Sequence, residues 1–189
     1  MDSLKSRNIS VELIKNRREA LKRVTELLPI GTEIMIGSSN TLSEIGLLDL
    51  IKTGTEGWRN LKDTMIGIAN PMKRYELRAK TSLAPYYLGS VHAVAETGEV
   101  VVASNTGSQL PSYVYSSPNV IWVVGIQKIV PTLELAIKRV WEYCLPLEDK
   151  HIKAMGQSGS NVGKLLIFER EVSPFRKIRM LLVEEKLGN

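Results

Sequence analysis

The sequence predicts an α/β protein, a three-layer α/β/α sandwich on a mostly parallel sheet with an added β-hairpin. Three observations carry this. Over residues 1–145, apolar runs of strand length alternate with segments of helical periodicity, the pattern of a parallel sheet with crossover helices. The clearest run, Val120–Val124 (VIWVV), reads as a fully buried strand. One reversal, at Thr97-Gly98, supplies the residue that tolerates positive φ in a hairpin turn.

Each element follows from local signals. Ser10 can cap an N-terminal helix over 10–28, with Leu13, Ile14, Ala20, Leu21, Val24, Leu27 and Leu28 at helical spacing; Pro29 and Gly31 end it. Glu33–Ile36 is a short strand, followed by the polar loop Gly37-Ser38-Ser39-Asn40. Thr41 and Glu44 match a capping box, which opens a helix ending before Gly54. Thr64–Ala69 reads as a second buried strand and Met72 to Lys80 as a modest helix. Tyr86–Ala103 is mostly strand, folded back at Thr97-Gly98, and Thr132 can cap a helix over Leu133–Cys144. A Gly/Ser-rich linker over 155–162 precedes two last strands within 164–183. The α/β core is therefore expected over 32–145. The whole of 1–189, 43% hydrophobic, suits a single domain.

Composition narrows the function. No apolar run approaches the ~20 residues of a membrane span, and the charged start MDSLKSRNIS lacks the apolar stretch of a secretory signal, so a cytoplasmic location is expected. Cys144 is the only cysteine, and His92 and His151 are the only histidines, so no internal disulfide, no metal site and no cofactor is expected. The charge of +5 is dispersed, as in KNRREALKR and FEREVSPFRK, without a nucleic-acid-binding signature. It fits solvated basic faces or attraction of small anions.

In a parallel α/β sheet, ligands bind beyond the carboxyl ends of the strands. That rule selects the loops Gly37 to Asn40, Asn70-Pro71 and Gly125 to Lys128. IMIGSSNTLSEIG is a strand, a glycine and small polar residues leading into a helix start, an anion site in form, with Ser38, Ser39, Asn40 and Thr41 as contacts. It lacks Rossmann or P-loop spacing, and GQSGSNVGKLL fails as a Walker loop because Leu165 stands where magnesium needs a hydroxyl. The turn Asn105, Gly107 and Gln109, with Gly125 and Lys128, adds amide, hydroxyl and ammonium donors for a carboxylate or phosphate. Strand alternation places His92, Val94 and Glu96 on one face. An imidazole and a carboxylate sharing a site suit general acid–base work or acyl transfer, while a solvated hairpin Glu96 is the plain alternative.

ELLPIGTEIMIGSSNTLSEIGLLDLI, YYLGSVHAVAETGEVVVASNTGSQL, VIWVVGIQKIVPTLELAIKRVWEYCLPLED and LLIFEREVSPFRKIRMLLVEEKLG together resemble successive blocks of the LUD domain family, the lactate-utilisation proteins. The resemblance implies a fold similar to glucosamine-phosphate deaminases, ribose-phosphate isomerases and CoA transferases. It also implies association with lactate or related organic-acid metabolism. Glu96-Thr97-Gly98 is similar to the Glu-X-Gly context of the CoA-transferase nucleophile. The chain departs from the pattern at His92, where relatives often carry Asn, and at Gln109, where they often carry Arg. The region LEDKHIKAMGQSGSN lacks the cysteine cluster some relatives carry, so an iron–sulfur or zinc role there is excluded.

Three readings follow. The protein binds a small anionic metabolite at the carboxyl edge of the sheet, with Gly37 to Thr41, Glu96 and Lys128 around the site. Alternatively, it is an accessory or assembly subunit, as a homo-oligomer or with a redox-protein partner; here Trp122 and Trp141 sit on core elements and Trp58 is exposed. Third, it is an acyl-transferase-like or isomerase-like enzyme using Glu96. No nucleic acid and no membrane is expected as a partner.

Overall fold

The computed structural model describes residues 1–189. The chain starts with a helical turn α1 (Asp2–Lys5), then strand β1 (Ile9–Ile14) and helix α2 (Arg17–Leu27). Strand β2 (Glu33–Ile36), short helices α3 (Asn40–Glu44) and α4 (Leu47–Thr53), strand β3 (Arg59–Asn60) and helix α5 (Pro71–Thr81) follow. The centre of the chain forms β4 (Tyr86–Gly89), β5 (Ala93–Ala95), β6 (Val100–Ser104), β7 (Asn119–Gly125) and β8 (Ile129–Val130). Helices α6 (Leu133–Arg139) and α7 (Leu145–Ala154) and strands β9 (Lys164–Phe168) and β10 (Lys177–Val183) complete it.

A six-stranded, all-parallel sheet in the order β1-β10-β7-β4-β2-β3 forms the framework. Its strands alternate between two cores, because successive side chains leave a strand on opposite faces. Ile121, Val123, Leu181 and Val183 pack with Ala20, Val24 and Leu42 of α2 and α3. Val120, Trp122, Val124, Met180 and Leu182 face the other way, onto Val94, Val100 and Val102. Those valines belong to a second sheet of four strands, β8-β5-β6-β9, whose outer face (Ala93, Val101, Ala103) meets Ala136 of α6 and Val140. The mixed α/β class with outer helical layers agrees with the sequence reading. The expected hairpin is the centre of this second sheet, interposed before α6.

Several boundaries need correction. Residues 10–28 are not one helix: ISVELI pairs in parallel with β10, burying Ile9 and Val11, and the helix starts only after Asn16, whose side chain accepts from the Glu19 N–H at 3.0 Å. The β-branched Ile9 and Val11 favour the strand. The helix expected from Thr41 to Gly54 breaks at Gly46, at φ 84°, a left-handed conformation that glycine adopts freely. Its first half is capped by Ser39, not by a Thr41–Glu44 box. Residues 64–69 are not a strand; Leu61–Met65 is a 3-10 turn and Gly67 has φ 75°. The helix expected to stop at Cys144 widens into a π turn at Val140–Cys144 and runs on to Ala154. Pro146 has no N–H to donate four residues back, which accounts for the widened turn. The residues 155–162 line a cavity wall through Ser160, Asn161 and Val162, and Asp149 accepts from the Ser160 N–H at 2.9 Å. Trp122 is fully buried, as expected, but the other two tryptophans reverse expectation: Trp58 is buried and Trp141 is 46% exposed.

Candidate functional site at the carboxyl edge

Strands β2, β4 and β7 lie next to one another; β2 and β4 end within a residue of each other at Ile36 and Gly89, and β7 runs on past Trp122, the partner of Gly89, to Gly125. Beyond β2 the chain turns to the α3 side of the sheet, whereas beyond β4 it crosses to the second sheet. Diverging connections at neighbouring strand ends open a crevice, and a cavity of about 490 Å3 lies there. Its wall includes Gly37, Ser38, Ser39, Asn40, Thr41, His92, Asn105, Gln109 and Lys128. The carboxyl-edge rule thus brings together most of the residues that the sequence singled out.

Lys128 is the centre of this group. It is 3% exposed, and its Nζ donates to Thr41 Oγ1 and to Ser90 Oγ, both at 3.1 Å. The two hydroxyls are themselves committed as donors: Ser90 Oγ to the Val123 carbonyl at 2.7 Å, and Thr41 Oγ1 to the Leu187 carbonyl at 3.3 Å. Lys128 must therefore donate to both. An ammonium has three hydrogens, so one is left without a protein acceptor, and no carboxylate forms an ion pair with it. Burial, with the nearby Arg139 charge, brings its pKa down to about 8.

Arg139 strengthens the positive field from the second row. Its Nη1 donates to the His92 carbonyl at 2.7 Å and contacts Cys144 Sγ at 2.8 Å. Burial raises the Cys144 thiol, which Arg139 partly offsets. His92 accepts the Ala103 N–H on Nδ1 at 3.1 Å. The proton of the neutral ring accordingly resides on Nε2, which has no partner in the chain. Burial first, then Lys128 and Arg139, lowers the imidazole to about 4. At neutral pH it is an uncharged hydrogen-bond donor.

Other predicted residues have different places. Glu96 is exposed at the hairpin corner, where its N–H donates to the Val130 carbonyl at 2.9 Å, and it lines a separate hollow with Leu4 and Ile129. The segment from His92 runs away from the carboxyl edge, so four residues at about 3.3 Å each put roughly 13 Å between the two side chains' origins. The shared face read from alternation is not formed: Val94 packs between the sheets, His92 opens to the cavity and Glu96 to solvent. Gly125 does not line the cavity. A Cβ there would stand 2.6 Å from the Leu187 nitrogen, so the glycine admits the C-terminal segment. Gly107 is a turn residue at φ 86° outside the wall, and Gln109 is held by Ser104 Oγ at 2.9 Å and the Ala103 carbonyl at 3.3 Å. Ser39 Oγ is likewise occupied with the Leu42 N–H, and α3 is only five residues long.

Sequence reasoning missed Ser90 and Arg139. Ser90 follows Gly89 at a strand end, so the rule that chose Gly37 and Lys128 could have chosen it. Arg139 had no signal, being one of several charges on a helix.

No group of three His, Cys, Asp or Glu side chains stands together as a metal site, and no helix is long and apolar enough to cross a membrane. Among curated proteins, none matches the sequence. The fold is similar to the crystal structure of a DUF162 family protein from Deinococcus radiodurans, at a TM-score of 0.56 and 13% identity, covering 96% of this chain and 92% of that one. The family model of the LUD domain matches residues 1–162, which include all three strand ends and Lys128, and on that match the chain belongs to the LUD domain family.

Proposed function

We propose that this LUD domain binds a small anionic metabolite, a carboxylate or a phosphate, in the cavity at the carboxyl edge, with Lys128 as its charge partner. The observation that carries the reading is the third hydrogen of the Lys128 ammonium, buried with no acceptor in the chain. An uncompensated buried charge is costly, and a bound anion would supply both the missing acceptor and the missing charge. The His92 Nε2–H, the Ser38 hydroxyl and Asn40 stand in the same wall as further donors. Association of the family with lactate utilisation makes an organic acid the natural occupant.

The test is thermal unfolding of the purified chain at pH 7 in the presence of lactate, pyruvate or inorganic phosphate. A ligand at a hundred times its Kd adds about 2.7 kcal/mol of stability. At least one of these anions is expected to raise Tm, and Lys128→Met is expected to remove the rise. An undiminished rise in Lys128→Met, or none in the native sequence, overturns the reading.

A further inference from the structure

The cavity has a second polar region next to Gly37. Tyr87 is 2% exposed, and its ring is fixed edge-to-face on Tyr113 at 5.3 Å and 86°. Its hydroxyl lies 3.1 Å from where a Gly37 Cβ would stand. Tyr87 contributes to the cavity wall, yet its hydroxyl makes no hydrogen bond within the chain. The hydroxyl opens to the cavity with no partner in the chain, so it is free to donate to a ligand there. Burial pushes the phenol up, and the nearby Arg78 charge partly offsets this; the group stays a donor.

Arg78 and Lys62 also line the cavity, and neither forms an ion pair. Glu148 is the one carboxylate side chain in the wall, against the cations Lys62, Arg78 and Lys128. The loop from Gly37, beside Tyr87, to Thr41, beside Lys128, joins the two regions, and four residues reach at most about 14 Å. A volume of about 490 Å3 falls in the range of pockets that enclose drug-sized ligands, well beyond a three-carbon acid.

Resting on the anion-binding reading above, we infer that the cavity takes an elongated ligand with an anionic group at each end. Lys128 with Thr41 and Ser90 holds one end, and Tyr87 with Arg78 and Lys62 holds the other. Cations at both ends of one cavity select ligand length as well as charge, because a diacid too short to span it reaches only one of them.

The probes are linear dicarboxylates from malonate to suberate, each compared by calorimetry with the monocarboxylate of equal carbon number at constant ionic strength. One dicarboxylate length is expected to bind about 10-fold tighter than its monocarboxylate. In the Tyr87→Phe/Arg78→Gln double variant that advantage is expected to vanish while monocarboxylate affinity stays within about 2-fold. Tyr87→Phe keeps the ring on Tyr113, so folding is retained. Monocarboxylate binding without any dicarboxylate advantage overturns this inference and leaves the proposed function standing. An advantage that survives the double variant overturns the assignment to Tyr87 and Arg78, and binding by neither class overturns both proposals.

Discussion

Two cations are buried in this molecule, and their surroundings differ. Arg176 pairs with Glu171, their side chains being 6% and 7% exposed. Its remaining donors reach the carbonyls of Ser112, Tyr113, Val114 and Ser117 at 2.8 to 3.1 Å. Every guanidinium hydrogen is used, four of the acceptors belonging to the π turn Ser112–Ser116 and the residue after it. Lys128 has two hydroxyls and no carboxylate. A structural charge is closed by the chain itself, whereas a charge open to a ligand keeps a hydrogen and a net charge in reserve.

The closed pair should respond most strongly to mutation. Arg176→Met leaves the Glu171 carboxylate buried alone and strips four carbonyls of their donor, so urea unfolding should show a loss of about 3–5 kcal/mol. A loss below about 1 kcal/mol would show that the pair is not what anchors the π turn.

Acid should reach the neutral side of the site next. His92 protonates near 4 when folded against 6.5 when free. The unfolded chain thus binds more protons between those values, and the histidine's contribution to stability is complete above 6.5 and is lost as pH falls to about 4. The loss is roughly 3 kcal/mol, and chemical unfolding across that range should show it flattened in His92→Asn. An unchanged slope in the variant would assign the acid sensitivity elsewhere.

Lys128→Met is the opposite of Arg176→Met. Removing an uncompensated buried charge is expected to stabilise the ligand-free protein by about 1–2 kcal/mol while abolishing anion binding; destabilisation comparable to that of Arg176→Met would erase the distinction between the two cations. The pH dependence sharpens it. Folded Lys128 loses its proton near 8, below the ordinary 10.5, so the cost of its charge is complete below 8 and is relieved as pH rises towards 10.5. Ligand-free stability should gain over that window relative to Lys128→Met. Anion affinity should move the other way, falling about tenfold per pH unit just above 8.

Glu96→Gln should do least. An exposed hairpin carboxylate at the far end of a strand from the cavity is expected to change stability by no more than about 0.5 kcal/mol and to leave anion affinity untouched. A large loss of affinity in this variant would return Glu96 to the site.

The cavity was legible where a single local rule sufficed. Strand ends mark the crevice in a parallel sheet, and that rule selected Gly37 to Asn40 and Lys128, which line it; Asn70-Pro71, selected on a strand that does not form, lies outside the wall. Tyr87 was not selected, because a tyrosine inside a strand reads as core, and only the absence of a partner for its hydroxyl distinguishes it. Glu96 was misplaced because alternation fixes which face a residue takes but not which end of the strand the site occupies. The N-terminal segment failed for a different reason. ISVELI followed by a helix carries apolar residues compatible with both periods, and its pairing with Ile178–Val183 is a contact that no window of nearby residues can register. Arg176 is invisible in sequence on the same ground, as its carbonyl partners lie some sixty residues away.

The strand order has a consequence for how the chain acquires its structure. β10 is inserted between β1 and β7, so β1 has no neighbour in the sheet until β10 has left the ribosome. Until then, the apolar edge of Val120–Val124 is unpaired, and an unpaired apolar edge is the kind of surface on which nascent chains associate wrongly. Contacts between such distant segments also slow the final step. Chains halted before Lys177 should therefore depend on chaperones far more than chains that include β10.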